Sequence, residues 1–273
     1  MKTPARLGLL LSSVSALALA PAAHAVQIYY QAGFTANIYV FDSVAGTNTL
    51  LGATGGPNDS FGMAFSPGGT LYAHDRGTAS LYTVNTGTGA ATLVGATGIG
   101  AEDLTFNLAG TAAYASAGGN LYSINPASGN ASLLGSLGTT MDGLTTAPIA
   151  VNVNGTNYAA GSVFGIDSGS LYAINVATQT ATFIGSVNAD ETLEFGADGT
   201  LYGHDSGTFY AINTMTLAGT AIGNSGNVSN IFGMAIGPGN NNNNRVPESG
   251  SALLLFTLSG AGLLFLRRRF GAR

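Results

Sequence analysis

The sequence contains no cysteine and no tryptophan among its 273 residues. Without cysteine the protein has no disulfide bond, no thiol nucleophile and no thiolate metal site. Charge is also scarce, because only 8% of the residues are charged and the stretch 26–245 contains no lysine. That stretch has twelve acidic residues against Arg76 and Arg245, a net charge of −10. Nucleic acid is therefore not expected as a partner, since phosphate binding requires clustered basic side chains.

Short apolar runs separated by turn residues make up most of the remaining sequence, which includes 41 glycines. The stretch from Phe61 to Gly95 contains four such runs, at 61–65, 70–74, 80–85 and 91–95. Each gap between them holds the Gly, Pro, Asp or Asn that a reversal of chain direction needs. This pattern predicts a unit of four short strands joined by hairpin connections.

The second half of this unit occurs five times in the chain. Each copy has an apolar strand with Tyr-x-x-Asn or Tyr-x-x-Asp, a turn, and a strand that ends in glycine. The closing glycines are spaced by 43, 40, 50 and 38 residues and are Gly52, Gly95, Gly135, Gly185 and Gly223. A four-stranded repeat of roughly 40 to 50 residues is typical of β-propellers. We therefore predict an all-β, five-bladed propeller over residues 26–239, with the insertion at 151–165 forming a longer hairpin.

The two ends of the predicted propeller share one repeat. Ile28 to Tyr30 correspond to the second strand of the complete copy, so the first strand is missing at this end. The sequence FGMAIGPG from Phe232 repeats FGMAFSPG from Phe61 and supplies that strand. Such a split predicts a closed ring, because pairing of the two ends removes an exposed sheet edge. We expect the repeated tyrosines to pack between blades; they are Tyr39, Tyr82, Tyr122, Tyr172 and Tyr210.

The first 25 residues have the organisation of a signal peptide. Lys2 and Arg6 precede the apolar run 7–20, and Ala23-His24-Ala25 forms a small-x-small cleavage site. This pattern predicts cleavage by a signal peptidase before Val26 and export of the mature chain. The alternative is a membrane anchor that is retained.

The last part of the chain combines an Asn-rich linker, 240–245, with a three-part tail, 246–273. The tail contains an apolar segment at 251–266, preceded by Val246, Pro247 and Glu248 and followed by Arg267, Arg268 and Arg269. This arrangement resembles the PEP-CTERM sorting signal of Gram-negative bacteria that make exopolysaccharide. Ser249 stands where that family has the second proline of its motif.

The resemblance implies that an exosortase, an integral-membrane cysteine protease, cuts near the motif and removes the membrane helix 251–266. The alternative is a permanent tail anchor. Under the positive-inside rule the three arginines stay in the cytoplasm, which places the propeller beyond the inner membrane. We expect a protein that is membrane-anchored before tail processing and located at the cell surface or outside the cell afterwards.

Two histidine–aspartate pairs occupy the same place in two repeats. They are His74-Asp75 and His204-Asp205, and Asp167 has a comparable place in a third repeat. We predict a structural role, in which the aspartate accepts hydrogen bonds from backbone N–H groups two residues on and starts a hairpin. The sequence contains neither a nucleophile elbow nor a phosphate-binding Gly-rich loop.

Carboxylates also recur at the start of the predicted inner strands. Alignment of the five copies puts five residues in one column: Phe61, Glu102, Asp142, Glu191 and Phe232. Inner strands surround the channel of a propeller, so we expect these side chains to lie around one mouth. Glu102, Asp142 and Glu191 are then candidate ligands of a hard cation such as Ca²⁺. In the alternative, each carboxylate caps its own turn or faces water.

These features together predict a non-catalytic surface or extracellular-matrix protein without a required cofactor, whose partners are exopolysaccharide or other surface proteins. The alternative is a metal-dependent hydrolase. Sugar-lactone hydrolases and strictosidine-synthase-like propellers hold a metal with acidic residues at the inner ends of their blades, and the carboxylates described above resemble that arrangement.

Overall fold

The computed structural model describes residues 26–226, 228 and 230–237. The predicted signal peptide, the Asn-rich linker and the sorting tail lie outside these residues. The described chain is all-β and forms five four-stranded sheets and one two-stranded sheet. Within it, no helix has the length and apolar character needed to cross a membrane.

Each four-stranded sheet is one blade, and its strands follow one another from the central channel outward. Blade 1 contains β22 (Met234–Ile236), β1 (Gln27–Gln31), β2 (Asn37–Asp42) and β3 (Thr47–Ala53). Blade 2 contains β4 (Ser60–Phe65), β5 (Leu71–Asp75), β6 (Ser80–Val84) and β7 (Ala91–Ala96). Blade 3 contains β8 (Asp103–Phe106), β9 (Ala113–Ala117), β10 (Asn120–Ile124) and β11 (Ala131–Ser136).

The remaining two blades have the same order. Blade 4 contains β12 (Gly143–Thr146), β15 (Val163–Asp167), β16 (Ser170–Asn175) and β17 (Thr180–Ser186). Its insertion forms a separate hairpin of β13 (Val151–Val153) and β14 (Thr156–Tyr158). Blade 5 contains β18 (Thr192–Phe195), β19 (Leu201–Asp205), β20 (Thr208–Ile212) and β21 (Gly219–Asn224). The prediction of five blades with four strands each is confirmed.

The ring closes through the blade that the two ends share. Strand β22 pairs antiparallel with β1, with Ile236 opposite Ile28 and Met234 opposite Tyr30. Each inner strand contacts the next one around the channel in the order β4, β8, β12, β18, β22 and back to β4. Closure therefore leaves no blade without two neighbours.

Five separate apolar cores hold the ring together, one at each junction between blades. At the junction of blades 1 and 2, for example, Ile38 packs with Met63 and Leu71, and all three are essentially buried. Three of the five repeated tyrosines join these cores, as predicted for residues between blades; they are Tyr39, Tyr172 and Tyr210. The other two, Tyr82 and Tyr122, are not members of a core. The outermost strands lie outside these cores, and three of their large apolar side chains are largely exposed: Leu93, Leu133 and Phe183.

The repeated tyrosine and the closing glycine share one structural cause. In every blade the register between the third and fourth strands shifts between this tyrosine and the apolar residue before it, as at Leu81/Tyr82, which is the signature of a β-bulge. Gly95 pairs with Leu81 at the shift. A Cβ atom on Gly95 would lie only 2.1 Å from the carbonyl oxygen of Ser128 in the next blade. Glycine is required because the next blade's backbone takes the space that a side chain would fill.

Two side chains satisfy backbone groups at the inner edges of blades. The Leu144 N–H donates to Oδ2 of Asp103 at 2.8 Å, and the Phe195 N–H donates to Oγ1 of Thr145 at 2.9 Å. In each case a side chain from one inner strand accepts a hydrogen bond from the backbone of the next inner strand, which satisfies a buried N–H group at the inner edge of the sheet. Burial raises the pKa of Asp103 well above its ordinary value, while the N–H groups of Leu144 and Leu104 oppose the rise.

Alternating strand direction gives the ring two faces. The inner strands begin, and the second strands end, on the face that we call the mouth face. Strand β22 runs away from the mouth face, and the Gly237 N–H donates to the Gln27 carbonyl at 2.9 Å on the other side, which we call the opposite face. The described chain thus begins and ends on the opposite face.

Candidate functional site

A pocket of about 330 Å³ opens at the mouth face, and we call it the mouth pocket. The carboxylates that directly precede three inner strands line it, together with Phe232 of the shared blade. The complete lining is Arg76, Glu102, Asp142, Ser168, Asp190, Glu191 and Phe232. The structure thus brings Glu102, Asp142 and Glu191 to one site, as the aligned column suggests; the side chain of Phe61 lies outside the described part.

Each of the three carboxylates has its own protein partner. Glu102 accepts a hydrogen bond from Nη1 of Arg76 at 2.9 Å, which makes an ion pair. Oδ2 of Asp142 accepts the N–H of Ser168 at 3.2 Å. These partners come from neighbouring blades or turns, so they hold the carboxylates apart rather than around a common point.

Glu191 has the most buried partner of the three. Its Oε2 lies 2.7 Å from Nδ1 of His204 and also accepts the Ile231 N–H at 3.2 Å. His204 is fully buried, whereas the Glu191 side chain retains some exposure at the pocket. The hydrogen bond from the Ile231 N–H links blade 5 to the segment that leads into β22.

The carboxylates of the mouth pocket repel one another. Burial raises the pKa of Glu102; the Arg76 guanidinium opposes this rise, and the charge of Asp142 adds to it. Burial also raises the pKa of Asp142, which the Ser168 N–H opposes and the charge of Asp190 strengthens. The pocket is therefore a region of strong negative potential in which bringing in a positive charge is favourable.

The two repeated histidines have matching surroundings on one ring nitrogen and different ones on the other. Nε2 of His74 lies 2.9 Å from Oγ1 of Thr97, and Nε2 of His204 lies 3.4 Å from Oγ of Ser225. Nδ1 of His204 contacts Glu191, whereas Nδ1 of His74 is buried without a partner among the described residues. Burial lowers the pKa of His74 to about 4, so its ring is neutral at neutral pH.

Ser225, His204 and Glu191 have the connectivity of a hydrolytic triad, but the geometry favours a structural role. Ser225 is only 2% exposed. Its hydroxyl lies 3.1 Å from the carbonyl oxygen of Gly207 and contacts that of Val228, which are its acceptors. A nucleophile must reach a substrate, and this hydroxyl is turned into the protein. The Thr97–His74 pair has the same hydroxyl–histidine contact, but no carboxylate among the described residues is hydrogen-bonded to that ring, which again indicates a structural pair.

The aspartates that end the second strands act at turns. For Asp75 the offset differs from the one predicted. Oδ1 of Asp75 accepts the N–H of Thr78, three residues on, at 2.7 Å, and its Oδ2 accepts the Asn58 N–H at 2.9 Å. The other two bind hydroxyl groups, because Ser206 donates to Asp205 and Thr139 donates to Asp167.

The calcium prediction stays untested. Within residues 26–226, 228 and 230–237, no three histidine or carboxylate side chains are grouped closely enough to hold a metal ion. Separate partners for the three carboxylates explain this spacing. A bound ion would require them to move toward one another.

Three lining residues are absent from the sequence-based column: Arg76, Ser168 and Asp190. They lie on the turns between strands, and the sequence does not show which turns fold over the channel. The sequence does single out Arg76 in one respect, because it is the only lysine or arginine between 26 and 244 and directly follows Asp75. Asp190 likewise directly precedes the column residue Glu191.

No family model and no curated protein matches this chain. Among solved structures, it is similar to a chain in the crystal structure of a nidogen/laminin complex, with a TM-score of 0.55 and 11% identity over 78% of this chain and 98% of that chain. A chain from a study of the de novo evolutionary emergence of a symmetrical protein matches with a TM-score of 0.47 and 20% identity, covering 76% of this chain and 93% of that chain. At this level of identity the first match supports the propeller fold alone.

Proposed function

We propose that this chain is an exported, non-catalytic propeller that binds a partner at the mouth pocket and is sorted to the cell surface or extracellular matrix by an exosortase-type system. The observation that carries the proposal is the separation of the two faces of the ring. The acidic pocket lies on the mouth face, and the described chain begins and ends on the opposite face.

This separation suits a protein that is held by its tail. The predicted membrane segment 251–266 follows Gly237 by only a short linker, so a tail in the membrane keeps the opposite face close to the bilayer. The mouth pocket then points away from the membrane and stays accessible to a partner. This orientation applies to the anchored protein, either before an exosortase removes the tail or permanently if the tail is retained.

The burial and the existing hydrogen bonds of the polar groups at the mouth favour a binding role over catalysis. The hydroxyl of Ser225 is buried and bonded to backbone carbonyls, and the ring of His74 is completely buried. The carboxylates of the pocket are occupied by Arg76, Ser168 and His204 rather than aimed at a common reacting atom. Positioned groups around one reacting atom are what a catalytic site requires.

The test of delivery is intact-mass analysis of protein recovered from the outer surface and the medium of producing cells. We expect a chain that starts at Val26 and lacks residues 251–273, and we expect replacement of Pro247 and Glu248 by alanine to leave the protein in the membrane. Wild-type protein that retains Arg267 to Arg269 would instead support a permanent anchor.

The test of the non-catalytic role is an assay of the purified protein with lactone substrates, with and without added Ca²⁺ or Zn²⁺. We expect no metal-dependent turnover. Turnover that disappears on replacement of Glu102, Asp142 and Glu191 by their amides would instead support the hydrolase alternative and the predicted metal site.

A further inference from the structure

The opposite face of the ring is almost uncharged, although the protein as a whole is acidic. Of the twelve acidic residues in the stretch 26–245, only Asp42 and Asp198 lie in turns on this face. Both cap their own turns, as Asp42 does by accepting the Val44 N–H at 2.9 Å. Arg76, the only lysine or arginine in the described chain, lines the mouth pocket instead. The opposite face can therefore approach an anionic surface with little repulsion.

Apolar side chains are exposed at turns on this same face. Four large ones, from blades 1, 3, 4 and 5, are 45% to 61% exposed: Val44, Leu108, Ile149 and Met215. In blade 2 the exposed Pro67 takes the place of Leu108, two residues after the inner strand. Every blade thus presents an apolar group to solvent on one side of the ring. We call these five turns the apolar turns.

The apolar turns around the channel adjoin one another. A Cβ atom on Gly161 of blade 4 would lie 3.5 Å from Leu108 of blade 3. A Cβ atom on Gly199 of blade 5 would lie 3.0 Å from Ile149 of blade 4. The turns of three successive blades are therefore in van der Waals contact and form one continuous surface.

The two apolar turns farther from the channel are fixed by side-chain caps. The Met215 N–H donates to Oδ1 of Asn213 at 2.9 Å, as the Val44 N–H does to Asp42. The equivalent positions in the other three blades hold small, uncharged residues: Gly87, Ala127 and Ala177. This part of the face therefore carries no charged side chain at its turn tips that an apolar environment would have to desolvate.

The other exposed large apolar side chains have a different distribution. Five of them lie on the outermost strands, around the rim of the ring: Leu50, Leu93, Leu133, Leu134 and Phe183. One flat surface cannot contact them together, because they lie on different sides of the ring. Phe34, at the mouth, packs against Phe232 with 5.6 Å between ring centroids. The opposite face is thus where a single plane reaches apolar groups from all five blades.

The chain leaves this face toward the predicted membrane segment. Gly237 is the last described residue, and only residues 238–250 separate it from the segment 251–266. A short linker holds two surfaces together at an effective concentration of about a millimolar, so even a weak contact between them is occupied. Exposed apolar area then decides whether the face settles on the bilayer or stays away from it.

We propose that the opposite face is a membrane-docking surface, which lies on the bilayer with its apolar turns at the level of the lipid headgroups. The bilayer is the occupant because the linker holds lipid, and no second copy of the chain, beside this face. Docking also turns the acidic mouth away from anionic lipid. The inference rests on the membrane tail of the proposed function and adds the surface by which the body itself contacts lipid.

The absence of tryptophan makes a direct test possible, because a single introduced tryptophan reports its own surroundings. Met215→Trp protein that carries its C-terminal tail is inserted into vesicles of phosphatidylethanolamine and phosphatidylglycerol, with and without acyl chains brominated near the headgroups. Bromine quenches tryptophan only at short range, so we expect about a twofold loss of emission from Met215→Trp. The matched control at the mouth, Phe34→Trp, should lose less than about a tenth. Equal quenching of the two variants, whether strong or weak, would overturn the proposal.

A second pair of variants tests the apolar turns themselves. Leu108→Ser combined with Ile149→Ser should reduce the quenching of Met215→Trp by about half or more, because two of the five apolar groups are lost. The matched control, Leu93→Ser with Leu133→Ser, removes two exposed leucines from the rim and should leave the quenching unchanged. Equal effects of the two double variants would contradict docking through the opposite face.

Flotation of the vesicles separates failure of this inference from failure of the proposed function. Protein that does not float with the vesicles lacks a membrane tail, which overturns both. Protein that floats while Met215→Trp remains unquenched contradicts only the docking surface. Quenching that is present at a low protein-to-lipid ratio and lost at a high one would show that a second copy covers the face, which overturns the bilayer as its occupant.

Discussion

The opposite face of the ring repeats itself five times, whereas the mouth face does not. On the opposite face, an Asn or Asp at the end of every third strand accepts backbone N–H groups two or three residues on, as Asn85 does from Gly87 and Thr88. The complete set is Asp42, Asn85, Asn125, Asn175 and Asn213. This is the structural cause of the Tyr-x-x-Asn/Asp motif.

The mouth face instead changes residue type from blade to blade. The equivalent positions in its column hold aromatics in blades 1 and 2 and carboxylates in blades 3, 4 and 5. Eight of the twelve acidic residues of the stretch 26–245 lie on this face: Asp59, Asp75, Glu102, Asp142, Asp167, Asp190, Glu191 and Asp205. Features that the fold needs recur in every blade, so the unequal face is where a function other than folding is expected.

Removal of β22 should have the largest effect, because it disrupts both faces at once. A chain that ends at Asn230 lacks Met234 and Ala235, which are completely buried, and exposes the edge of β1. We expect a loss of more than about 5 kcal/mol, comparable with the whole stability of an ordinary domain. Chemical denaturation of this chain and of one that ends at Gly239 measures the difference. Equal stability of the two chains would contradict closure through β22.

A change at a closing glycine tests the repeated architecture alone. Gly95→Ala places a Cβ atom 2.1 Å from the Ser128 carbonyl oxygen, so two blades must move apart. We expect a loss of at least about 3 kcal/mol in the free energy of unfolding. Gly56→Ala is the matched control, because a Cβ atom there meets nothing within 4 Å. If both variants unfold alike, the close approach of blades 2 and 3 does not stabilise the ring.

The buried histidine of blade 2 should make stability depend on pH. The pKa of His74 in the folded chain, about 4, lies below its ordinary value of 6.5. Protonation therefore favours the unfolded chain, and wild type should lose about 3 kcal/mol relative to a His74→Gln variant as pH falls from 6.5 to 4. Glutamine already occupies the equivalent position in blade 1, at Gln31.

Unfolding curves of wild type and His74→Gln at several pH values measure this difference directly. The comparison is necessary because burial raises the pKa values of Glu102 and Asp142, which makes their contribution to stability fall as pH rises. Those carboxylates are present in both proteins and cancel. A constant difference between pH 4 and 7 would mean that His74 is not a neutral buried group.

Loss of a turn cap on the opposite face should have the smallest effect on the free energy of unfolding. Asn85→Ala removes the acceptor for the Gly87 and Thr88 N–H groups, at an expected cost of about 1 kcal/mol. Asn85→Asp keeps the acceptor and should stay within about 0.5 kcal/mol of wild type. Neither change should alter binding at the mouth. A loss of more than about 1 kcal/mol in Asn85→Asp would show that this side chain does more than accept the two N–H groups.

The repeats made the fold predictable from sequence. The spacing of the closing glycines indicated five blades, and the second copy of the Phe-Gly-Met-Ala sequence at Phe232 indicated the shared blade. In the complete copy no strand end differs from the prediction by more than one residue; for example, β5 covers Leu71–Asp75 and β7 ends at Ala96. Repetition allows this because each copy is independent evidence for the same strand pattern.

The mouth pocket was only partly predictable from the repeats. Alignment identified Glu102, Asp142 and Glu191 as equivalent positions, but it does not contain the partners that hold them apart. The ion pair of Arg76 with Glu102 joins two turns 26 residues apart, and the contact of His204 with Glu191 crosses two strands. Such pairs depend on how turns fold over the channel, which a repeat pattern does not specify.

The most direct test of the central claim is the free energy of unfolding of the Asp142→Asn, Asp190→Asn double variant at pH 7, without ligand. The account predicts a stability equal to or above that of wild type, because the variant relieves repulsion at the mouth and asparagine still accepts the Ser168 N–H. A loss of more than about 1 kcal/mol would contradict the account. It would show that these carboxylates support the fold, like the caps of the opposite face, rather than a bound partner.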